Sequence, residues 1–169
     1  MAATEVPAGL QLTAIDGQQR PIEEWLITFQ ILGVVLDPFT YESAWLLETA
    51  GRILDVYRGA SVRTAFIVTG TADEARQFLG PWLDRVIVYV DPDRAFVRAC
   101  ELEELPALVH IRQERSLAGV AQGWDPAAWR AVTNEVSKER NWTKPAMGVR
   151  TDPVPFRGSP ALGEAATAE

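Results

Sequence analysis

Few residues in this chain have the chemistry of a catalyst. It carries one cysteine, Cys100, and one histidine, His110, in 169 residues. A lone cysteine excludes an internal disulfide, and one Cys with one His cannot fill a Cys/His zinc site. No metal or cofactor motif is present, so neither is expected. A nucleophilic pair would need Cys100 and His110 to meet across a turn, yet both sit in patterns that read as packing. Phe96, Val97 and Leu102 accompany Cys100 at or near helical spacing, which makes it a packing thiol in one reading and a redox-active thiol in the other. His110 belongs to the apolar run ALVHI and faces away from the side that Val109 takes.

The other chemistry-bearing stretch is LGVVLDPFTYESAWLL, Leu32 to Leu47. Its apolar run stops at Asp37-Pro38, and a helical pattern begins at Thr40 or Tyr41. A strand that ends in a Pro turn and feeds a helix is the first half of a βαβ unit. Chemistry in α/β proteins often sits at such a turn, where unpaired helix N–H groups face solvent. Here the turn offers Phe39, Thr40, Tyr41, Glu42 and Ser43. Thr40 and Ser43 can cap a helix; alternatively, their hydroxyls bind a ligand. Phe39 and Tyr41 read equally as edge packing or as an aromatic platform for a partner. Glu101, Glu103 and Glu104 form either a solvated face or an acidic patch that selects a basic partner.

These residues need elements to position them. Residues 10–25 alternate apolar and polar through Leu10, Leu12 and Ala14 and then turn at Asp16-Gly17, the signature of a hairpin, and Ile22 and Trp25 read as the contacts that pack this arm on the core. Ile27 to Leu36 is nearly continuous in apolar character, as in a strand covered on both faces. In Tyr41 to Arg58 the apolar positions Trp45, Leu46, Ala50, Ile53, Leu54 and Tyr57 recur at helical spacing. A strand over 62–69 precedes a helix over 72–79, with Thr71 and Glu74 placed as a capping box. A third strand covers 85–90, and Asp91-Pro92-Asp93 opens a short helix through 94–101. Strands over 107–111 and 117–121 form a second hairpin. Asp125 and Pro126 then start a last helix that runs to about Arg140, with Trp124 and Trp129 as its clamp.

The chain divides into a flexible N-terminus over 1–9, one α/β domain over 10–140, and a Pro/Gly-rich tail over 141–169. The tail carries Trp142, Met147, Val149, Val154 and Phe156, so an extended but partly docked segment is expected. The net charge of −7 argues against a nucleic-acid or anionic-membrane partner. The opening residues lack the pattern of a secretory signal, and a cytoplasmic location is the expectation.

In order and punctuation the sequence resembles the thioredoxin-like superfamily, in its redoxin branch of TlpA-type thioredoxins and peroxiredoxins. LQLTAIDGQQRPIEE resembles the opening of redoxins, and VVLDPFTYESAW falls where that family has its strand, turn and Cys-x-x-Cys. YVDPDRAFVRACELEELPALVHI resembles the segment leading to the family's cis-proline, and GWDPAAW resembles the final Gly and helix. The resemblance covers residues 10–138. It implies a three-layer thioredoxin-like α/β fold with an N-terminal β-hairpin, and a cis Leu105–Pro106 bond. It places Thr40 and Ser43 on the redox pair, which thus reads Thr-Tyr-Glu-Ser. Val34 stands where many members bury an acid. Hydroxyls cannot perform thiol–disulfide exchange, and peroxide reduction needs a thiolate at this turn. What the resemblance leaves is the peptide-binding groove beside the proline, which needs no cysteine. The expectation is a redox-inactive module that holds a protein segment, by analogy with cysteine-less assembly chaperones. Its groove would be lined by Phe39, Thr40, Tyr41, Ser43, Leu105 and Pro106. The alternatives are an oxidoreductase working through Cys100 and a structural subunit of a larger complex.

Overall fold

The computed structural model describes residues 3–163. The strands are β1 (Gln11–Ala14), β2 (Gln19–Pro21), β3 (Gln30–Leu36), β4 (Val62–Val68), β5 (Ile87–Val90), β6 (Glu104–Leu105), β7 (Ala107–Ile111), β8 (Leu117–Gln122) and β9 (Ser159–Pro160). The helices are α1 (Ile22–Trp25), α2 (Tyr41–Asp55), α3 (Ala72–Leu79), α4 (Ala95–Ala99) and α5 (Pro126–Arg140), with a 3-10 turn over Gly80–Asp84. Seven strands form one sheet in the order β2-β1-β5-β4-β3-β7-β8. β3, β4 and β5 run parallel, whereas β1 and β7 pair with them antiparallel.

All seven residues of β3 are buried, as its unbroken apolar run requires of a strand covered on both faces. Alternate residues feed two cores. Leu32, Val34 and Leu36 pack with α2, α5 and Trp82 on one face. Ile31 and Val35 pack with Ile22, Trp25, Phe96 and Val97 of α1 and α4 on the other. The result is three layers, helix on sheet on helix, as the sequence implies.

Local signals explain where elements begin. Thr71 and Glu74 make the reciprocal capping box of α3, and Asp125 accepts from the amides of Ala127 and Ala128 at the start of α5. Trp25 closes the hairpin arm through a hydrogen bond from Nε1 to the Leu12 carbonyl, 2.9 Å long. The edge-to-face pair Trp124–Trp129, with centroids 5.3 Å apart, anchors the start of α5.

Three expectations are corrected. The segment over 1–9 does not hang free where the structure describes it: Val6 is fully buried, its amide bonds the Arg115 carbonyl, and Glu5 bridges Ser116. The apolar side chain at position 6 supplies the anchor that a reading of polarity alone overlooks. Residues 1 and 2 lie outside the described residues. Trp45 is not on the buried stripe of α2 but 58% exposed. It stacks on Tyr41, four residues earlier, and meets Phe156 edge-on at 5.5 Å. Its neighbour Leu46 takes the core position instead. β3 begins at Gln30 rather than Ile27, because Ile27 is 72% exposed.

The tail crosses the α2/α5 face. Trp142 donates to the Val56 carbonyl at 2.7 Å, and Met147 is buried in the core of that face. Asp152 gathers Thr49, Arg52 and two tail amides, and Phe156 exchanges two backbone hydrogen bonds with Trp124. The tail thus packs over helices first and then pairs with strand segments, at Trp124 just past β8 and, as β9, with β6. The part of the tail beyond Gly163 lies outside the described residues.

Candidate functional site

At the C-terminal end of β3 the chain turns through Asp37-Pro38-Phe39 into α2. Thr40 is the N-cap residue, with φ −117° and ψ 147°, but its hydroxyl does not cap. It lies 3.4 Å from the Asp37 carbonyl instead. Ser43 is fully buried, and its Oγ accepts the Asp37 amide at 2.9 Å. Ser43 thus braces the turn, and the Thr40 hydroxyl is directed to the Asp37 carbonyl. Val34, beneath the turn, is buried between Phe66 and Leu108 in neighbouring strands. Phe39 and Tyr41 are exposed at 66% and 78%, and Tyr41 stacks on Trp45.

Asp37 is the hub of the turn. Its carboxylate is buried, Oδ1 accepts from the Phe39 amide at 2.9 Å, and Oδ2 meets Arg94 at 2.9 Å. Arg94 takes a left-handed backbone conformation ahead of α4, φ 57°. Its guanidinium bridges Asp37 on one side and the carbonyl of Ala161, in the tail, on the other. Asp91 binds the amides of Phe96 and Val97 and so fixes α4 behind Arg94. Burial raises its carboxyl, against the pull of those amides. Beyond its place in DPDR, Arg94 has no local signature, because its partners are distant in the chain.

Opposite the turn, Leu105–Pro106 is a cis peptide bond. Leu105 and Pro106 are buried, so on this side of the expected groove the chain itself covers the lining, while Phe39 and Tyr41 across from it stay exposed. β9 pairs antiparallel with β6, Glu104 against Pro160 and Leu105 against Ser159. The Ser159 hydroxyl donates to the Leu105 carbonyl at 3.2 Å, and the Ala161 amide donates to the Glu103 carbonyl at 2.9 Å. Glu104 binds the Gly158 amide at 2.8 Å through one oxygen and Arg157 at 2.8 Å through the other. Partial burial alone would raise this carboxyl. Arg157 and the Gly158 amide outweigh it and hold it below the ordinary carboxylate range. Of the expected acidic patch, Glu104 is therefore engaged, while Glu101 and Glu103 are solvated. Between turn and tail lies a cleft of about 500 Å³, walled by Phe39, Thr40 and Tyr41 on one side and Ser159 and Pro160 on the other.

Cys100 and His110 do not join this site or each other. Cys100 is 1% exposed in the core beneath α4. Burial, and then the Asp91 carboxylate, push its thiol up to about 12, so the thiolate needed for exchange does not form near neutral pH. His110 lies on the opposite face, where its Nε2 meets Gln30 Oε1 at 2.7 Å and Gln30 in turn reaches Glu139. Burial lowers its pKa ahead of the compensating Glu139. Among the described residues no group of three or more His, Cys, Asp or Glu side chains is placed to hold a metal ion. None of their helices is long and apolar enough to cross a membrane.

Comparison with solved structures identifies the architecture. Peroxiredoxin Q of Xanthomonas campestris superposes with a TM-score of 0.65 at 13% identity, over 82% of this chain and 98% of that one. A secreted disulfide oxidoreductase of Mycobacterium tuberculosis superposes with 0.58 at 14%, over 77% and 96%. A hypothetical protein from Sinorhizobium meliloti 1021 gives 0.65 at 13%, over 96% and 94%. No family model matches the chain, and curated protein sequences give no match. The fold is thioredoxin-like, with an N-terminal hairpin added at one edge of the sheet. At these identities the likeness fixes the fold alone.

Proposed function

We propose that this chain is a redox-inactive, thioredoxin-like protein-binding module, of chaperone or assembly-factor type. Its groove between Phe39–Ser43 and Leu105–Pro106 holds a protein segment. One observation carries the reading. The strand-to-helix turn has no thiol, and the only cysteine is buried in a separate core with its pKa raised to about 12. What the turn does present is exposed aromatic surface, Phe39, Tyr41 and Trp45, beside a backbone that already accepts an added strand. Main-chain pairing supplies affinity in such an arrangement, and flanking side chains supply selection. The alternative of an oxidoreductase acting through Cys100 is disfavoured by the same burial. Affinity capture from native lysate tests the proposal, with Thr40→Trp filling the cleft mouth. The reading expects a specific protein retained by the native chain and lost by Thr40→Trp. Identical capture by both chains would overturn it.

A further inference from the structure

The strap over Arg157–Ala161 meets the groove chiefly through polar contacts, with Ala161 alone entering the core. It contributes backbone pairing to β6, one hydroxyl contact, one ion pair, the Gly158 amide on Glu104 and the Ala161 carbonyl on Arg94, while Arg157 and Pro160 remain exposed. Only Ser159 and Ala161 are buried within it. Each contact specifies a residue type. Glu104 selects a cation at position 157, and its own environment favours the charged form. Position 158 admits glycine only, since a Cβ there would stand 2.6 Å from the Leu105 carbonyl oxygen and 2.9 Å from Glu104 Cβ. Position 159 takes a small hydroxyl that donates to Leu105. The net charge of −7 favours a basic segment over an acidic one.

We propose that this strap is an intramolecular stand-in for the groove's partner, and that strap and partner exclude one another. The partner is an extended protein segment of the order basic–Gly–hydroxyl, added as a strand antiparallel to Glu104–Leu105. The inference rests on the binding reading above and names its ligand class and its regulation. Being tethered at Phe156, the strap competes at a high effective concentration. A free segment therefore binds the native chain with an affinity reduced by the fraction of molecules in which the strap is open. A strand of two residues, held by one ion pair with an exposed cation and by Arg94 at the Ala161 carbonyl, is short enough to be displaced.

The test uses the full chain and a fluorescein-labelled Arg-Gly-Ser-Pro-Ala-Leu peptide, read by anisotropy. Gly158→Ala in the chain drives its own strap off the Leu105 carbonyl without touching the body of the fold. Arg157→Glu, at a side chain 92% exposed, sets like charges against each other and provides a second release that cannot unfold the core. Both variants should bind the peptide about tenfold or more tightly than the native chain, Gly158→Ala the more so. A peptide with alanine in place of its glycine should bind none of them. Equal binding to native and released chains would overturn the mutual exclusion while leaving the groove a binding site. Absence of binding to every chain would overturn the stand-in altogether, and the lysate capture then judges the binding reading separately.

Discussion

Replacing Asp152 by alanine should detach the tail from the body without unfolding it. The Asp152 carboxylate is 1% exposed and accepts from Thr49 Oγ1 at 3.1 Å, from Arg52 Nη2 at 2.8 and 3.0 Å, and from the Gly148 and Val149 amides at 2.9 and 3.1 Å. A hydrogen bond to a charged group contributes about 1.5–3 kcal/mol. The sum over these donors is an overestimate. Gly148 and Val149 are exposed, and the Arg52 side chain is 35% exposed, so water replaces part of the loss. One to two charged bonds survive this discount, or about 2–3 kcal/mol for the docked segment. At about 1.4 kcal/mol per factor of ten, opening becomes some 30–150-fold more frequent. Native-state hydrogen exchange reads this locally. The reporting amide is Phe156, which bonds the Trp124 carbonyl at 3.0 Å and makes no contact with Asp152 through that bond. Its exchange should accelerate by that factor in Asp152→Ala, while β3 and β4 amides change far less. Exchange at Phe156 within threefold of the native rate would refute the idea that the tail docks as one unit through Asp152.

Other expected outcomes follow from single contacts. Gly51→Ala places a Cβ 2.4 Å from the Trp82 ring. Overpacking of this kind costs about 1–3 kcal/mol, and at about 2–4 °C per kcal/mol calorimetry should show Tm lowered by several degrees. His110 has a lowered folded pKa, so the unfolded chain takes up its proton first; stability is fully present above the ordinary 6.5 and falls as pH drops through that value. Thermal melts should show this slope for the native chain and a flatter one for His110→Gln. The Cys100 thiol should be silent to a disulfide reagent in the folded chain and react once per chain in denaturant. Cys100→Ser, which buries a hydroxyl in an apolar core, should cost about 1–3 kcal/mol in denaturant melts.

The elements were legible where pattern and punctuation agree. The α3 capping box, the Asp125-Pro126 start of α5 and the buried run of β3 depend on residues near in sequence, and the structure has them there. The turn and the proline-led strand were also legible, through order and spacing. What sequence could not reveal was pairing at a distance. Arg94 meets Asp37 across 57 residues, and Glu104 meets Gly158 across 54. Neither pair has a local signature, so the strap that lies against Glu104–Leu105 has no sign in the sequence. Trp45 misled for a related reason. Its spacing fits the buried stripe of α2, yet Tyr41 and Phe156 give it a surface partner. Val6 carried too little context to announce its burial.

The central claim is that this fold works here without thiol chemistry. Insulin reduction driven by dithiothreitol, run beside the Cys100→Ser chain, tests it most directly. Both chains should match the uncatalysed background, because no thiol occupies the turn and Cys100 is held protonated in the core. Multiple turnovers by the native chain that vanish in Cys100→Ser would contradict the account and install Cys100 as the working thiol.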